Sequence, residues 1–170
     1  MKSSSFFFSF VLFLILFGCQ ESEEPLQPLM SGTWEHRVYD ESLELWMVEV
    51  LTFQNDSVME VQKIVRQTET GETLGYRMLT TSWYNLEENI FKYYYSDALI
   101  YFGGGSDSDS PPYGTKDDLR PGIVDFFRLP TGTLTFSANR NRFVYQEDCW
   151  RIGTAEDCLP FPAREYVRVN

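Results

Sequence analysis

The chain has 170 residues, enough for one domain of ordinary size. Its 25 acidic and 14 basic side chains give a formal net charge of −11, so nucleic acids and anionic phosphate surfaces are poor partners. From Glu21 onward the acidic residues are spread along the chain, and this distribution favours solubility over any one binding site.

The chain opens with a predicted signal peptide, residues 1–18. One positive charge at Lys2 is followed by an apolar run from Phe6 to Phe17, which ends in Gly18. Such a run is short for a bilayer span, and a positive start, an apolar core and a small-residue end are typical of a cleaved secretory signal. We expect this segment to be absent from the mature domain.

The stretch Leu16-Phe17-Gly18-Cys19 resembles the lipobox of bacterial lipoproteins. The resemblance implies cleavage after Gly18 and attachment of diacylglycerol to the Cys19 thiol. Two or three acyl chains such as palmitate suffice for stable membrane anchoring, because each buried methylene contributes about 0.8 kcal/mol. The alternative is an ordinary signal peptide with an incidental cysteine.

Residues 19–30 predict an acidic tether behind the lipidated cysteine. The sequence QESEE at 20–24 resembles the export tag of surface lipoproteins in the Bacteroidota, which implies an outer-membrane protein at the cell surface. A position on the periplasmic side of the outer membrane is the alternative. In either location, Pro25 and Pro28 favour an extended spacer.

Residues 31–170 predict one all-β domain. Apolar and aromatic runs alternate with short polar turns such as NDS, ETGET and NRN, and no stretch keeps a helical period. An antiparallel up-and-down meander of this kind has to close or stack to hide its edges, so we expect a barrel of about 8–10 strands. The predicted strands are 33–40, 43–54, 58–68, 74–84, 90–96, 98–102, 123–129, 133–138, 142–150 and 163–169.

The first strand carries Gly32-Thr33-Trp34, a Gly-x-Trp that resembles the opening motif of lipocalins and of lipocalin-like domains in lipoproteins of the Bacteroidota. The resemblance implies an eight-stranded up-and-down barrel with the tryptophan closing one end against an arginine of the last strand. Arg164 and Arg168 are the candidates, with Arg168 preferred. A guanidinium over an indole contributes about 0.5 to 2 kcal/mol.

A long segment poor in apolar side chains, residues 103–122, interrupts the strands and predicts a mobile loop. Within it, Asp107-Ser108-Asp109 has carboxylates at the spacing of a calcium loop. Pro111 and Pro112 occupy the positions where such a loop needs a further ligand and a glycine, so we favour the mobile loop over a calcium site.

Cys149 and Cys158 form an even pair once Cys19 carries lipid, and an exported domain lies in an oxidising compartment. A disulfide is the favoured interpretation, with two separate thiols as the alternative. No metal or cofactor is predicted, because one distant histidine, His36, would have to complete any zinc site.

Catalysis is not predicted either. His36 is the one histidine available to a serine triad, no serine lies in a Gly-x-Ser-x-Gly elbow, and the spacing of the carboxylates singles out no pair.

Aromatic residues are the remaining candidates for a binding function, and they are dense at residues 91–102. They support two hypotheses. In the first, the barrel holds a small apolar ligand, which requires an aromatic cavity of a few hundred cubic ångströms. In the second, the interior is packed and an exposed aromatic face docks on an outer-membrane protein complex or a glycan. The first is preferred. Because Tyr93, Tyr94 and Tyr95 are consecutive, at least one of them should be exposed.

Overall fold

The computed structural model of this protein describes residues 30–104, 110–124, 129–149 and 161–169. Cys19, the signal and most of the tether lie outside the described residues, and so do Cys158 and the possible calcium ligands Asp107 and Asp109. No helix within the described ranges combines the length and the apolar composition needed to cross a membrane.

The described residues form an antiparallel β-structure, as the alternation in the sequence predicts. Helical residues in these ranges are Met30 and a single 3-10 turn, Lys116–Asp118. The strands are β1 (Gly32–Asp40), β2 (Leu45–Phe53), β3 (Val58–Arg66), β4 (Thr73–Glu87), β5 (Ile90–Ile100), β6 (Arg120–Gly122), β7 (Thr131–Phe136), β8 (Arg142–Glu147) and β9 (Arg164–Arg168).

Eight of these strands close into a barrel in the order β1, β2, β3, β4, β5, β7, β8, β9, with β9 pairing back onto β1. The ninth, β6, pairs with the end of β5 outside this ring. Register shifts in the β3–β4 and β4–β5 pairings mark bulges, which bend the strands and allow the sheet to curve shut. The predicted all-β barrel is confirmed.

Tight turns fix the register of the hairpins. In the β2–β3 turn, the Asn55 side chain accepts hydrogen bonds from the backbone N–H groups of Ser57 and Val58. Between β4 and β5, Glu88 adopts a left-handed φ of 55°, and Arg140 does the same between β7 and β8. Polar turn residues therefore connect the strands as the sequence indicates.

The region predicted as a mobile loop contains structure. The backbones of Tyr76 and Gly114 exchange two hydrogen bonds, of 2.8 and 3.0 Å, and Leu119 is buried. Because Gly75 has no Cβ, the ring of Tyr113 and the carbonyl of Gly114 can lie close against β4. The described part of this segment, from residue 110 onward, therefore packs against the barrel.

Two strand predictions also need correction. Segments 90–96 and 98–102 are one strand, β5, in which a bulge accommodates Ser96 and Asp97 opposite Thr81. The strand predicted at 123–129 is absent at residues 123, 124 and 129, whereas residues 125–128 lie outside the described ranges.

The core lies inside the barrel and follows strict alternation. Tyr93 is 7% exposed and points inward, whereas Tyr94 is 46% exposed and points outward, so the expected exposure within the tyrosine run is confirmed. A second, smaller cluster of Val48, Val50 and Ile64 lies on the outer face of β2 and β3.

One end of the barrel is filled by Trp34, which we call the closed end. This side chain is fully buried, and its indole N–H donates to the Met30 carbonyl at 3.0 Å. Phe143 packs beside it, with ring centroids 4.8 Å apart, and the guanidinium of Arg168 lies 4.6 Å from the centre of the indole. Gly32, Trp34 and Arg168 thus lie together where β1 meets β9, whereas Arg164 lies elsewhere in the interior.

Candidate functional site

The centre of the barrel is filled by side chains. The free space there is about 10 Å³, roughly the volume that one water molecule requires. This volume is far below the few hundred cubic ångströms that a ligand in the middle of the barrel would need. The void is lined by Glu49, Leu51, Met59, Val61, Phe91, Tyr93, Tyr95, Phe143, Tyr145 and Tyr166.

A buried polar network lies beside this void and consists of Glu49, Tyr93, Glu147, Arg164 and Tyr166. The Tyr166 hydroxyl donates to Glu49 Oε1 at 2.7 Å, and Arg164 Nη1 lies 3.4 Å from the same oxygen. The other terminal nitrogen of Arg164 lies 3.0 Å from Glu147 Oε2 and 3.3 Å from the Tyr93 hydroxyl. One arginine from β9 thus bridges two carboxylates from β2 and β8.

Electrostatics fix the protonation states of Tyr166 and Arg164 at neutral pH. Burial raises the pKa of Tyr166 well above 10, and the Glu49 charge adds to that rise. For Arg164, burial alone would lower the pKa, but the neighbouring tyrosines and Glu49 outweigh it and raise the pKa. The tyrosine therefore stays a neutral donor and the arginine stays charged.

The barrel is open at the end away from Trp34, where residues of β1 to β4 line an open cavity of about 150 Å³ that we call the mouth. The register of β1 with β2 and of β2 with β3 brings the side chains of the mouth together, because His36 lies opposite Glu49 and Glu49 lies opposite Lys63. The mouth is lined by His36, Val38, Met47, Val48, Glu49, Lys63, Ile64 and Arg77.

Glu49 lines both the mouth and the central void, and it therefore forms the floor between them. Its carboxylate is already held by Tyr166 and Arg164. The remaining polar groups of the mouth are the imidazole of His36, the ammonium of Lys63 and the guanidinium of Arg77. Chemically, the mouth offers a small concave surface with apolar walls and an excess of donors.

His36 has structural partners. Its Nδ1 is 2.9 Å from the Glu165 carbonyl oxygen, and its ring packs on Tyr166 at a centroid separation of 5.4 Å. The carbonyl can only accept, so Nδ1 carries the proton and Nε2 is the atom left for a ligand. No serine or cysteine appears among the residues that line the mouth.

The remaining predicted site residues fall at the edge of the described chain or outside it. Cys149 follows β8, but Cys158 lies outside the described residues, so their disulfide stays a prediction. Lipidation of Cys19 likewise stays a prediction. Within the described ranges, no three histidine, cysteine or acidic side chains are placed to share a metal ion.

Sequence reasoning missed the buried network and the mouth. A signal for the network was present, because Glu49 has the same strand parity as the apolar Leu51 and Phe53, and Glu147 has the parity of Phe143 and Tyr145. An acid on the inward face of a strand requires a buried cation, and this requirement points to an arginine on the inward face of another strand.

The outer face carries an exposed aromatic pair on β4 and β5. Trp83 on β4 lies directly opposite Tyr94 on β5, and the two side chains are 44% and 46% exposed. Val58 on β3 lies on the other side of Trp83 and extends the pair across three strands.

No family model matches the chain, and neither the curated proteins nor the solved structures compared with it provided a match. Its function must therefore follow from its own residues.

Proposed function

We propose that this protein is an outer-membrane lipoprotein that binds a small molecule in the mouth of its lipocalin-like barrel and catalyses no reaction. The observation that supports binding at the mouth is the contrast between the two spaces of the barrel, about 10 Å³ at the centre and about 150 Å³ at the mouth. A space of about 150 Å³ is large enough for a molecule the size of benzene. The ligand site therefore lies at the mouth and not at the centre.

Native mass spectrometry of the chain purified from its own host tests this proposal. Wild-type protein should retain a small molecule. Met47→Trp fills the mouth and should abolish that retention, whereas Leu99→Trp, which places the same side chain on the outer face of β5, should preserve it. Equal retention by both variants would contradict binding at the mouth.

Membrane anchoring is the second part of the proposal, and it is supported by the lipobox at residues 16–19 and the acidic stretch that follows. Because two or three acyl chains give stable anchoring, Cys19→Ser should lose incorporation of a palmitate analogue and move from the membrane fraction to the soluble fraction. The matched control is the double variant Cys149→Ser with Cys158→Ser, which leaves no unpaired thiol and should retain both the palmitate label and the membrane association. Labelling of Cys19→Ser at the wild-type level would refute the anchor.

The exposed pair of Trp83 and Tyr94 favours a second candidate function, docking on an outer-membrane protein complex or a glycan. The two side chains are cross-strand neighbours on the outer face, and exposed aromatic side chains can stack on sugars or bury against a protein. In this case Trp83→Ser with Tyr94→Ser would lose a partner that co-purifies with the wild type, and Met47→Trp would keep it.

A further inference from the structure

The mouth carries two basic side chains that form no salt bridge within the described part of the chain. The Lys63 side chain makes no hydrogen bond there either, and the one side-chain hydrogen bond of Arg77 is a long contact of 3.9 Å to the Met47 sulfur. The charge of Arg77 reaches Asp40, but the hydrogen bond from Ser42 is the main cause that lowers the pKa of that carboxyl. Lys63 and Arg77 line the same cavity. Two cations side by side at a concave surface are a recognition element for a negative group.

Convergence on one cavity distinguishes Lys63 and Arg77 from the other described cations. Salt bridges to acids are made by Arg37, Arg66, Arg142 and Arg164. Lys116 lies over the Tyr76 ring, and Arg120 donates to backbone carbonyls. Lys92 also forms no salt bridge among the described residues, but it is exposed on the outer face of β5 and lines neither the mouth nor the central void.

The carboxylate within the mouth does not cancel this pair. Glu49 accepts from Tyr166 and is shared with Arg164, so its charge is already balanced from the floor side. An overall charge of −11 repels anions from most of the surface. Anion binding is therefore favoured where cations without a salt bridge converge, as Lys63 and Arg77 do at the mouth.

We infer that the ligand of the mouth is a small organic anion with a carboxylate head and a short apolar body. The head is bound by Lys63 and Arg77, the latter through its planar fork of donors. The body packs against Val38 and Met47, and the volume of about 150 Å³ limits it to the size of one aromatic ring. This inference rests on the proposed function, because it names the ligand class of the same site.

Benzoate and benzamide form a matched pair of probes that differ in charge but not in size. The whole chain in phosphatidylcholine nanodiscs has one histidine, so the imidazole proton signals of His36 report on the mouth alone in a nuclear magnetic resonance titration. Benzoate should bind about tenfold more tightly than benzamide, because it makes charge-assisted hydrogen bonds.

Substitutions of Lys63 and Arg77 test whether these two cations cause the preference for benzoate. Lys63→Gln with Arg77→Gln should lose about tenfold in benzoate affinity and keep its benzamide affinity, whereas Lys92→Gln should match the wild type. The charge-preserving exchange Lys63→Arg with Arg77→Lys should restore most of the loss, which separates charge from misfolding. Equal binding of the two probes, or a benzoate preference that survives in the double Gln variant, overturns the anion but leaves the proposed mouth site. If neither probe moves the His36 signals, the mouth site fails as well.

Discussion

At the scale of single residues, the barrel interior contains two buried tyrosines in contrasting situations. Tyr166 and Tyr145 are each 2% exposed. The Tyr166 hydroxyl donates to the charged Glu49, whereas the Tyr145 hydroxyl has no hydrogen-bond partner among the described residues. A buried donor to a charge stabilises the fold, but a buried polar atom without a partner costs free energy.

We therefore predict opposite outcomes for one chemical change. Tyr166→Phe should lower the free energy of unfolding by about 1.5–3 kcal/mol, because it removes a hydrogen bond to a charged group. Tyr145→Phe should be neutral or slightly stabilising. Urea denaturation of the two variants measures both effects. A larger loss for Tyr145→Phe than for Tyr166→Phe would show that the roles are assigned to the wrong residues.

Glu35 provides a pH prediction on the outer face of β1. Burial of this carboxyl opposes ionisation, but hydrogen bonds from Arg66 and Arg37 outweigh burial and hold its pKa below the usual 4.5. Arg66 contacts both carboxylate oxygens, at 2.7 and 2.9 Å. Because the folded-state pKa is lowered, the ionised carboxylate stabilises the fold above about pH 4.5, and this contribution is lost as the pH falls through the folded-state pKa.

Glu35→Gln should accordingly be less stable than the wild type at pH 7, by about 1–3 kcal/mol, and the difference should shrink as the pH falls below 4. Thermal denaturation across this pH range is the measurement. Glu165→Gln alters an exposed ion pair with Arg142 and should differ little from the wild type at either pH. A Glu35→Gln difference that grows towards low pH would contradict the sign.

At the scale of elements, β7 and β8 approach each other closely because Gly132 has no side chain. A Cβ at this position would overlap the carbonyl oxygen of Gln146 and lie 2.7 Å from the Cα of Glu147, both backbone atoms of β8. A Cβ at Gly122 in β6 would meet chiefly the side-chain tip of Ile100, which can move. The two glycines therefore differ in what surrounds them.

Gly132→Ala should destabilise the protein by about 1–3 kcal/mol, since backbone must shift to admit the methyl group. Gly122→Ala should change the free energy of unfolding by no more than about 0.5 kcal/mol. Chemical denaturation of the pair is sufficient for the comparison. Equal losses in the free energy of unfolding for the two variants would contradict the close approach of β7 and β8 at Gly132.

The elements show which features local sequence can predict. Alternation along β3, β4 and β7 indicates strands, since side chains on a pleated strand point to opposite faces. Strand β6 was not predicted, because Arg120-Pro121-Gly122 has the composition of a turn. Proline is nevertheless tolerated in a short edge strand such as this one beside β5. The predicted break in β5 falls at Asp97. In the structure a bulge opposite Thr81 accommodates this residue, so the strand continues through it.

The candidate site was less predictable than the fold. Glu49 and Arg164 are separated by 115 residues, and their contact depends on closure of β9 onto β1. Lys63 and Arg77 come from two strands that are offset by a bulge, so their convergence on one cavity follows from a register that local sequence does not encode. Closure of the end by Trp34 and Arg168 was an expectation of the lipocalin resemblance, and the two side chains do stack there.

At the scale of the whole molecule, the barrel is divided into a packed centre and an open mouth. The aromatic side chains that suggested a ligand cavity mostly fill the centre instead, as an eight-stranded barrel permits. The proposed ligand site is therefore the mouth, which strands β1 to β4 line with apolar and basic side chains. An N-terminal lipid tether would hold such a barrel at the membrane surface.

Methionine methyl groups are placed to test this division directly. Met47 lines the mouth, whereas Met59 lines the central void and is 1% exposed. In a carbon-13 methyl spectrum, adding the small-molecule extract of the host envelope should shift the Met47 signal and leave Met59 in place. A shift of Met59 alone would put the ligand in the centre of the barrel and contradict the account, and the absence of any shift would leave docking through Trp83 and Tyr94 as the function to pursue.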